Sequence, residues 1–515
     1  MTKLRNDALF SLIKRMTKSE KWQFSVYSKN FREDNSFYYL VFQELNRQKE
    51  YDESQLQNIE NIRVSQIPNI KVNLYKILLR FLSNNSKPVV NNISLNFQAV
   101  KILYNKCLYA DALTLIEKGK QDARKQFDYQ ILLQLLELEK QCIIQTSDSM
   151  ISERVDRIIS EINEIVRRIN NVNQFSNLAL KLNSFYQTIG FIRNKEDLKM
   201  VRDYYEDNFP EVDLRKLSEI ELVHLYHTVT EFYLFIQRFE NAYKYAKKLL
   251  QVFEANQTLQ QMYTELYIKA INYVLVSQNK LKLLAEFKDT HKKLTIIKRN
   301  KSLVSNQNIA LNLFKAIYIQ EINKHFMMGE FKQGTKVVAA LEKEIDKFMT
   351  ILNKNTILIF YYKIAALYFG SGQYKTAIKW LNKIINEKVV GLRDDILSFA
   401  RILELICYYE LDETEMVEYK IKSTYRFLLK RQNFIKYQLH IMNFLREMRR
   451  NQTKKELYKA FQDLKINMQS LQSNRFERRA FLYFDIISWL ESKLEEKSIQ
   501  EIIKEKYNID NREAA

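Results

Sequence analysis

Seven glycines and three prolines are all that punctuate these 515 residues, where average usage would place roughly 36 and 26. Glycine supplies the positive-φ backbone of tight turns, and proline ends helices because it lacks an N–H and clashes with the preceding turn. A chain this poor in both cannot build many β-hairpins, glycine-rich phosphate loops or sharp strand-to-helix turns. P-loop enzymes, Rossmann folds, β-sandwiches and propellers are excluded together. An all-helical protein remains. Its 515 residues exceed what one hydrophobic core sustains, so several domains or a repeat array are expected. Apolar residues at 46% are ample for such a core.

Residues 1–90 read as an N-terminal helical module. Leu9, Phe10, Leu12 and Ile13 fall on one helical face, and Thr17-Lys-Ser-Glu20 has the form of a capping box. Pro68 and Pro88 bracket a further helix, and the polar stretch 83–88 reads as a linker. From 91 to 472 the text becomes repetitive. Its clearest unit runs from Tyr361 to Ile384: Ala365 follows Tyr361 by four, Tyr368 follows by three, then come Gly370 and Gly372, Tyr374, Ala377, Leu381 and Ile384. Tyr226 to Leu249 and Tyr318 to Leu341 fit the same template, as do weaker copies at Val100, Ile268 and Leu405. Equivalent positions Thr230, Asn272, Ile322, Ala365 and Leu405 stand 42, 50, 43 and 40 apart. Residues 120–220 are helical in pattern but out of phase, and 473–515 read as capping helices.

This spacing resembles the tetratricopeptide (TPR) pattern of two antiparallel helices, in which small residues let the helices approach and aromatics fill the gaps. The chain also resembles an uncharacterised family of bacterial TPR-like proteins of about 500 residues, through Thr17-Lys-Ser-Glu20, Lys49-Glu-Tyr-Asp-Glu53, Ser423-Thr-Tyr-Arg-Phe-Leu428 and Asn443-Phe-Leu-Arg446. The resemblance implies an all-α fold, a right-handed superhelical array of helix pairs behind the N-terminal module. It further implies a concave groove for a peptide or helix of a partner, lined by Lys101, Tyr104, His224, His227, Glu231, Asn323, Phe326 and Tyr362.

The net charge of +20 attracts phosphate backbones, anionic lipids and acidic proteins without choosing among them. A Lys-, Asn- and Ile-rich composition also produces such a charge with no functional demand behind it. The cations gather between 420 and 479, at Arg426, Lys430, Arg431, Lys436, Arg446, Arg449, Arg450, Lys454, Lys455, Arg475, Arg478 and Arg479. Apolar residues at helical spacing run between them. One reading is a surface that tracks nucleic-acid phosphates, with aromatics stacking on bases. The other is a solvated helix face whose long stems cover apolar surface.

No motif carries chemistry. His224 and His227, three apart with Glu221 and Glu231 nearby, offer imidazole and carboxylate to a metal. No second ligand pair accompanies them, so packing or groove polarity is the expectation, with no metal and no cofactor. Cys107, Cys142 and Cys407 lack C-x-x-C spacing and read as buried small hydrophobes in a reducing compartment. No signal-peptide pattern and no membrane span is read. The expectation is a cytoplasmic, non-enzymatic scaffold that binds one or more proteins, acidic ones among them. A nucleic-acid-associated regulator is the alternative.

Overall fold

The structure, a computed structural model, describes residues 7–28, 36–59, 62–85, 88–146, 151–190, 192, 194–304, 306–348, 351–387, 393–430, 435–448, 453–474 and 476–513. Among these residues there are 25 α-helices and no strand. The all-α expectation therefore holds. Packing divides the chain into two compact units, Met1–Lys120 with Leu138–Ser147, and Gln121–Glu137 with Asp148–Ala515. These limits fall elsewhere than the sequence-based boundaries at 90 and 472.

The first unit holds α1 (Ala8–Arg15), α2 (Lys18–Ser28), α3 (Ser36–Arg47), α4 (Ser54–Gln57), α5 (Ile67–Asn85) and α6 (Pro88–Asn105). The capping box forms as read: Thr17 N donates to Glu20 Oε2 at 2.6 Å, and Glu20 N to Thr17 Oγ1 at 3.2 Å. Phe24 anchors the core, its ring 4.8 Å from Phe42 and 5.2 Å from Phe81. Part of the expected linker, residues 86 and 87, lies outside the described residues. Helices α7 (Tyr109–Lys125) and α8 (Tyr129–Ile144) each contribute to both units.

The second unit opens with α9 (Ile151–Ile189), a single helix of 39 residues, followed by α10 (Lys195–Asn208). A helix this long holds no hairpin, so residues 151–189 carry no repeat phase. Helix pairs follow: α11 (Glu219–Phe235) with α12 (Phe239–Ala255), then the short α13 (Gln257–Met262), and α14 (Thr264–Lys280) with α15 (Leu284–Arg299). Next are α16 (Gln307–Met328) with α17 (Phe331–Phe348), α18 (Lys354–Gly370) with α19 (Tyr374–Ile385), and α20 (Asp394–Glu410) with α21 (Thr414–Lys430). The chain ends with α22 (Lys436–Glu447), α23 (Lys454–Ser473), α24 (Ile486–Leu494) and α25 (Ile499–Glu513). Each first helix packs on its own second helix and also on the first helix of the next pair, from α11 through α14, α16, α18 and α20 to α22. This is the contact pattern of a helical-repeat fold.

One turn joins the helices of each pair. A residue at positive φ donates its N–H three residues back, and the next residue donates five back, closing the last carbonyls of the helix. The left-handed residues are Cys107, Phe127, Gln237, Lys282, Gly329, Gly372 and Asp412. Five carry a side chain, although an L-residue there costs about 1–2 kcal/mol. Scarce glycine thus did not prevent the turn; most copies are made without it. Cys107 accordingly is exposed in a turn rather than buried as expected, whereas Cys142 and Cys407 are buried.

From 237 to 412 these turns stand 45, 47, 43 and 40 apart. Thr230, Ile322, Ala365 and Leu405 each lie seven residues before one, and all are fully buried. The second copy is out of register: the residue seven before Lys282 is the buried Leu275, not Asn272.

Late elements of this unit return to early ones. Arg478 Nη2 donates to the Gln237 carbonyl at 2.8 Å, and Phe476 packs on the cluster of Leu178, Leu182 and Phe232. Helix α25 packs on α16 as well as α24.

Candidate functional site

Three successive first helices of the second unit turn the same stripe toward one cavity of about 1780 Å³. Counted back from each left-handed turn residue, the positions 13, 10, 6 and 3 earlier recur. They are Lys269, Asn272, Val276 and Asn279 on α14, and Ala316, Ile319, Asn323 and Phe326 on α16. On α18 they are Ile359, Tyr362, Ala366 and Phe369. Such spacing keeps one face of an α-helix in line. The segment 478–485 and Ile499, Ile503, Lys506 and Tyr507 of α25 line it further.

Polar residues on this stripe and one position beside it form a ladder across three helices. Lys363 Nζ donates to Asn323 Oδ1 at 2.6 Å, Asn323 Nδ2 to Gln320 Oε1 at 2.8 Å, and Gln320 Nε2 to Asn272 Oδ1 at 2.8 Å. Each buried amide bond contributes about 1 kcal/mol net. Lys363 has no carboxylate partner among the described residues, and Lys280, also on the cavity wall, has no hydrogen-bond or ion-pair partner there. Burial pulls Lys280 down to about 8. Burial, and then the nearby Lys280, pulls Lys363 down to about 7. Tyr362, on the same wall, is buried with its hydroxyl unbonded.

Of the residues assigned to the groove from the sequence, Asn323, Phe326 and Tyr362 line this cavity. His224, His227 and Glu231 stand 13, 10 and 6 before Gln237, the same register one pair earlier, but they do not line it. They are taken up in helix packing. Tyr273 donates its single phenol hydrogen to Glu231 Oε1 at 2.5 Å, so its oxygen accepts from His227 Nε2 at 3.2 Å. Lys269 Nζ completes the cluster at 2.8 Å from Glu231. Burial lowers both His224 and His227 to about 4, leaving neutral imidazoles. Among the described residues no group of three or more His, Cys, Asp or Glu is arranged to hold a metal. Lys101 and Tyr104 keep the register too, 6 and 3 before Cys107, but belong to the first unit; Lys101 lies 4.6 Å over the Phe97 ring.

The basic stretch divides. Arg426, Lys430, Lys436, Arg446, Lys454 and Lys455 are exposed, whereas Arg431, Arg449, Arg450 and Arg475 lie outside the described residues. Two expectations need correction. Arg479 is only 5% exposed, and Arg478 is half-buried on the Gln237 carbonyl, because the 3₁₀ turn 478–482 folds inward. Exposed Tyr419, Tyr425 and Tyr458 accompany the outward cations. No helix among the described residues is long and apolar enough to cross a membrane.

Lys280, Lys363, Gln320 and the 481–485 segment were missed as site residues, and Arg478 was assigned to the basic surface instead. Lys363 and Gln320 share one offset, nine before their turn residues, which a register count could have found; nothing local points to 481–485, which arrives from more than 100 residues beyond α18. A scan of known protein families finds no match to the chain, and a comparison with curated protein sequences finds none either.

Proposed function

We propose that the chain is a TPR-like α-solenoid of right-handed superhelical form, a non-enzymatic cytoplasmic scaffold whose groove takes a peptide or helix of a partner protein. The observation that carries this reading is the recurrence of one lining register in α14, α16 and α18 around a single cavity. A stack of equivalent faces presents regularly spaced side chains, which suits an extended or helical segment better than a compact substrate. The cavity's cations outnumber its acids, favouring an acidic segment. The test is purification of the tagged chain from its native cells with and without nuclease, beside an Ala366→Phe variant that fills the cavity. A stoichiometric protein that survives nuclease and is lost with Ala366→Phe supports the reading. A protein retained by the variant, whose helicity is unchanged, contradicts it.

Exposed tyrosines among the outward cations of α21 and α23 favour a second reading, nucleic-acid association through the surface at 420–479. It requires log affinity to fall linearly with log salt, and charge reversal at Arg446, Lys454 and Lys455 to abolish binding. Unchanged binding in that variant removes it.

A further inference from the structure

The cavity's cations are not equivalent. Lys269 lies 2.8 Å from Glu231, Lys506 lies 2.5 Å from Glu491, and Arg393 lies 2.6 Å from Asp395. Arg478 donates to a carbonyl, and Lys315 has Glu265 nearby. Arg238 is exposed to solvent at the rim, whereas Lys280 and Lys363 are part-buried on the wall with no carboxylate partner among the described residues and lie within electrostatic reach of each other. Partly withdrawing two ammonium groups from water is unfavourable unless opposite charge is close. The polar ladder adds direction to this excess. Asn323 Oδ1, Gln320 Oε1 and Asn272 Oδ1 each already receive one N–H. Spare hydrogens remain on Lys363 Nζ and on the amide nitrogens of Asn323, Gln320 and Asn272, and Lys280 lies on the same cavity wall.

A wall with two cations that lack a carboxylate partner among the described residues, and with spare N–H groups around them, complements an anionic ligand that accepts several hydrogen bonds. A single carboxylate would neutralise one ammonium and leave the other. We infer that the wall carrying Lys280, Lys363 and Asn272 is a binding site for a compact, doubly charged oxyanion of the phosphate-monoester class, with free phosphate as its smallest member. Phe326, Ile319 and Ala366 flank the site and weaken water's screening of the charges. The depressed proton affinity of both amines fits a site whose counter-charge arrives with the ligand. This goes beyond the scaffold reading: it concerns the same cavity but needs no protein partner, so either can fail alone.

The full chain is titrated calorimetrically with inorganic phosphate and with phenyl phosphate at pH 7.5, in two buffers of different ionisation enthalpy. One saturable site is expected, with uptake approaching about one proton as the anion restores the amines' charge. Lys280→Met and Lys363→Met each weaken it at least tenfold, while Lys292→Met, exposed and outside the cavity, leaves it unchanged. Phenyl phosphate binding as tightly as phosphate assigns the site to monoesters; phosphate alone assigns it to the free anion. Because the substitutions could disturb folding, the wild-type chain is also melted in phosphate and in chloride of equal ionic strength. A higher midpoint in phosphate alone is expected. No saturable binding of either probe, binding indifferent to both substitutions (an adventitious ion only), or equal midpoints would overturn the inference.

Discussion

Arg393 Nη2 lies 2.6 Å from Asp395 Oδ2, and the same guanidinium reaches the hydroxyls of Tyr186, 207 residues earlier, and Tyr483, 90 residues later. Burial of this arginine is tolerated because its charge is matched and its donors are occupied. Its neighbours keep Asp395 below the usual carboxylate range despite burial.

Replacing that arginine strands a buried carboxylate. Arg393→Ala is expected to lower unfolding free energy by about 3–5 kcal/mol. The paired variant Arg393→Met/Asp395→Leu should recover most of the loss. Urea denaturation of the three chains checks both statements.

Two glycines two residues apart should respond for different reasons. A Cβ on Gly372 meets nothing within 4 Å, so Gly372→Ala costs only its φ of 80°, about 1 kcal/mol. A Cβ on Gly370 would sit 2.4 Å from the Phe331 ring. Gly370→Ala should therefore destabilise by about 1–3 kcal/mol through overpacking, even though alanine favours the helix. Conversely, Lys282→Gly removes left-handed strain at an exposed turn and should raise stability by up to about 1 kcal/mol. Thermal midpoints of the three variants give the order.

Acid should loosen the second unit before ordinary carboxylates titrate. His224 and His227 fall to about 4 in the folded chain, below the free imidazole value, so the unfolded chain binds more protons between pH 6.5 and 4. Stability is complete above about 6.5 and is lost as pH falls through that window. Each histidine contributes a slope of up to about 1.4 kcal/mol per pH unit. Urea midpoints measured from pH 7 to 4.5 should fall less steeply in His227→Gln than in wild type.

The lysine pair acts in the opposite window. Its folded values of about 7 and 8 lie below that of a free amine, so the unfolded chain binds more protons above pH 7. Stability should rise as pH goes from about 7 toward 10. Lys363→Met should flatten that rise and be more stable than wild type at pH 7, read by the same denaturation series.

The all-α fold was legible because helix periodicity and the lack of breakers are local properties. The repeat was legible at Tyr361–Ile384, where Ala365 and the glycines mark the hairpin, and slipped by three residues at Asn272 because Lys282 occupies a turn position without any turn signature. The same register brings Asn323, Phe326 and Tyr362 to the cavity wall. It also selected His227 and Glu231, whose engagement by Tyr273 depends on how tightly α14 approaches α11. Arg479 shows the other limit. Its neighbours read as a cationic surface, and its burial is decided by a chain reversal that no local pattern encodes.

The bonds from Lys363 through Asn323 and Gln320 to Asn272 tie α18 to α16 and α16 to α14. Sliding any of these helices by one turn, about 5.4 Å, would break the series. The three are therefore keyed like shafts on a common pin, and an axial shift of one helix must break a bond to its neighbour.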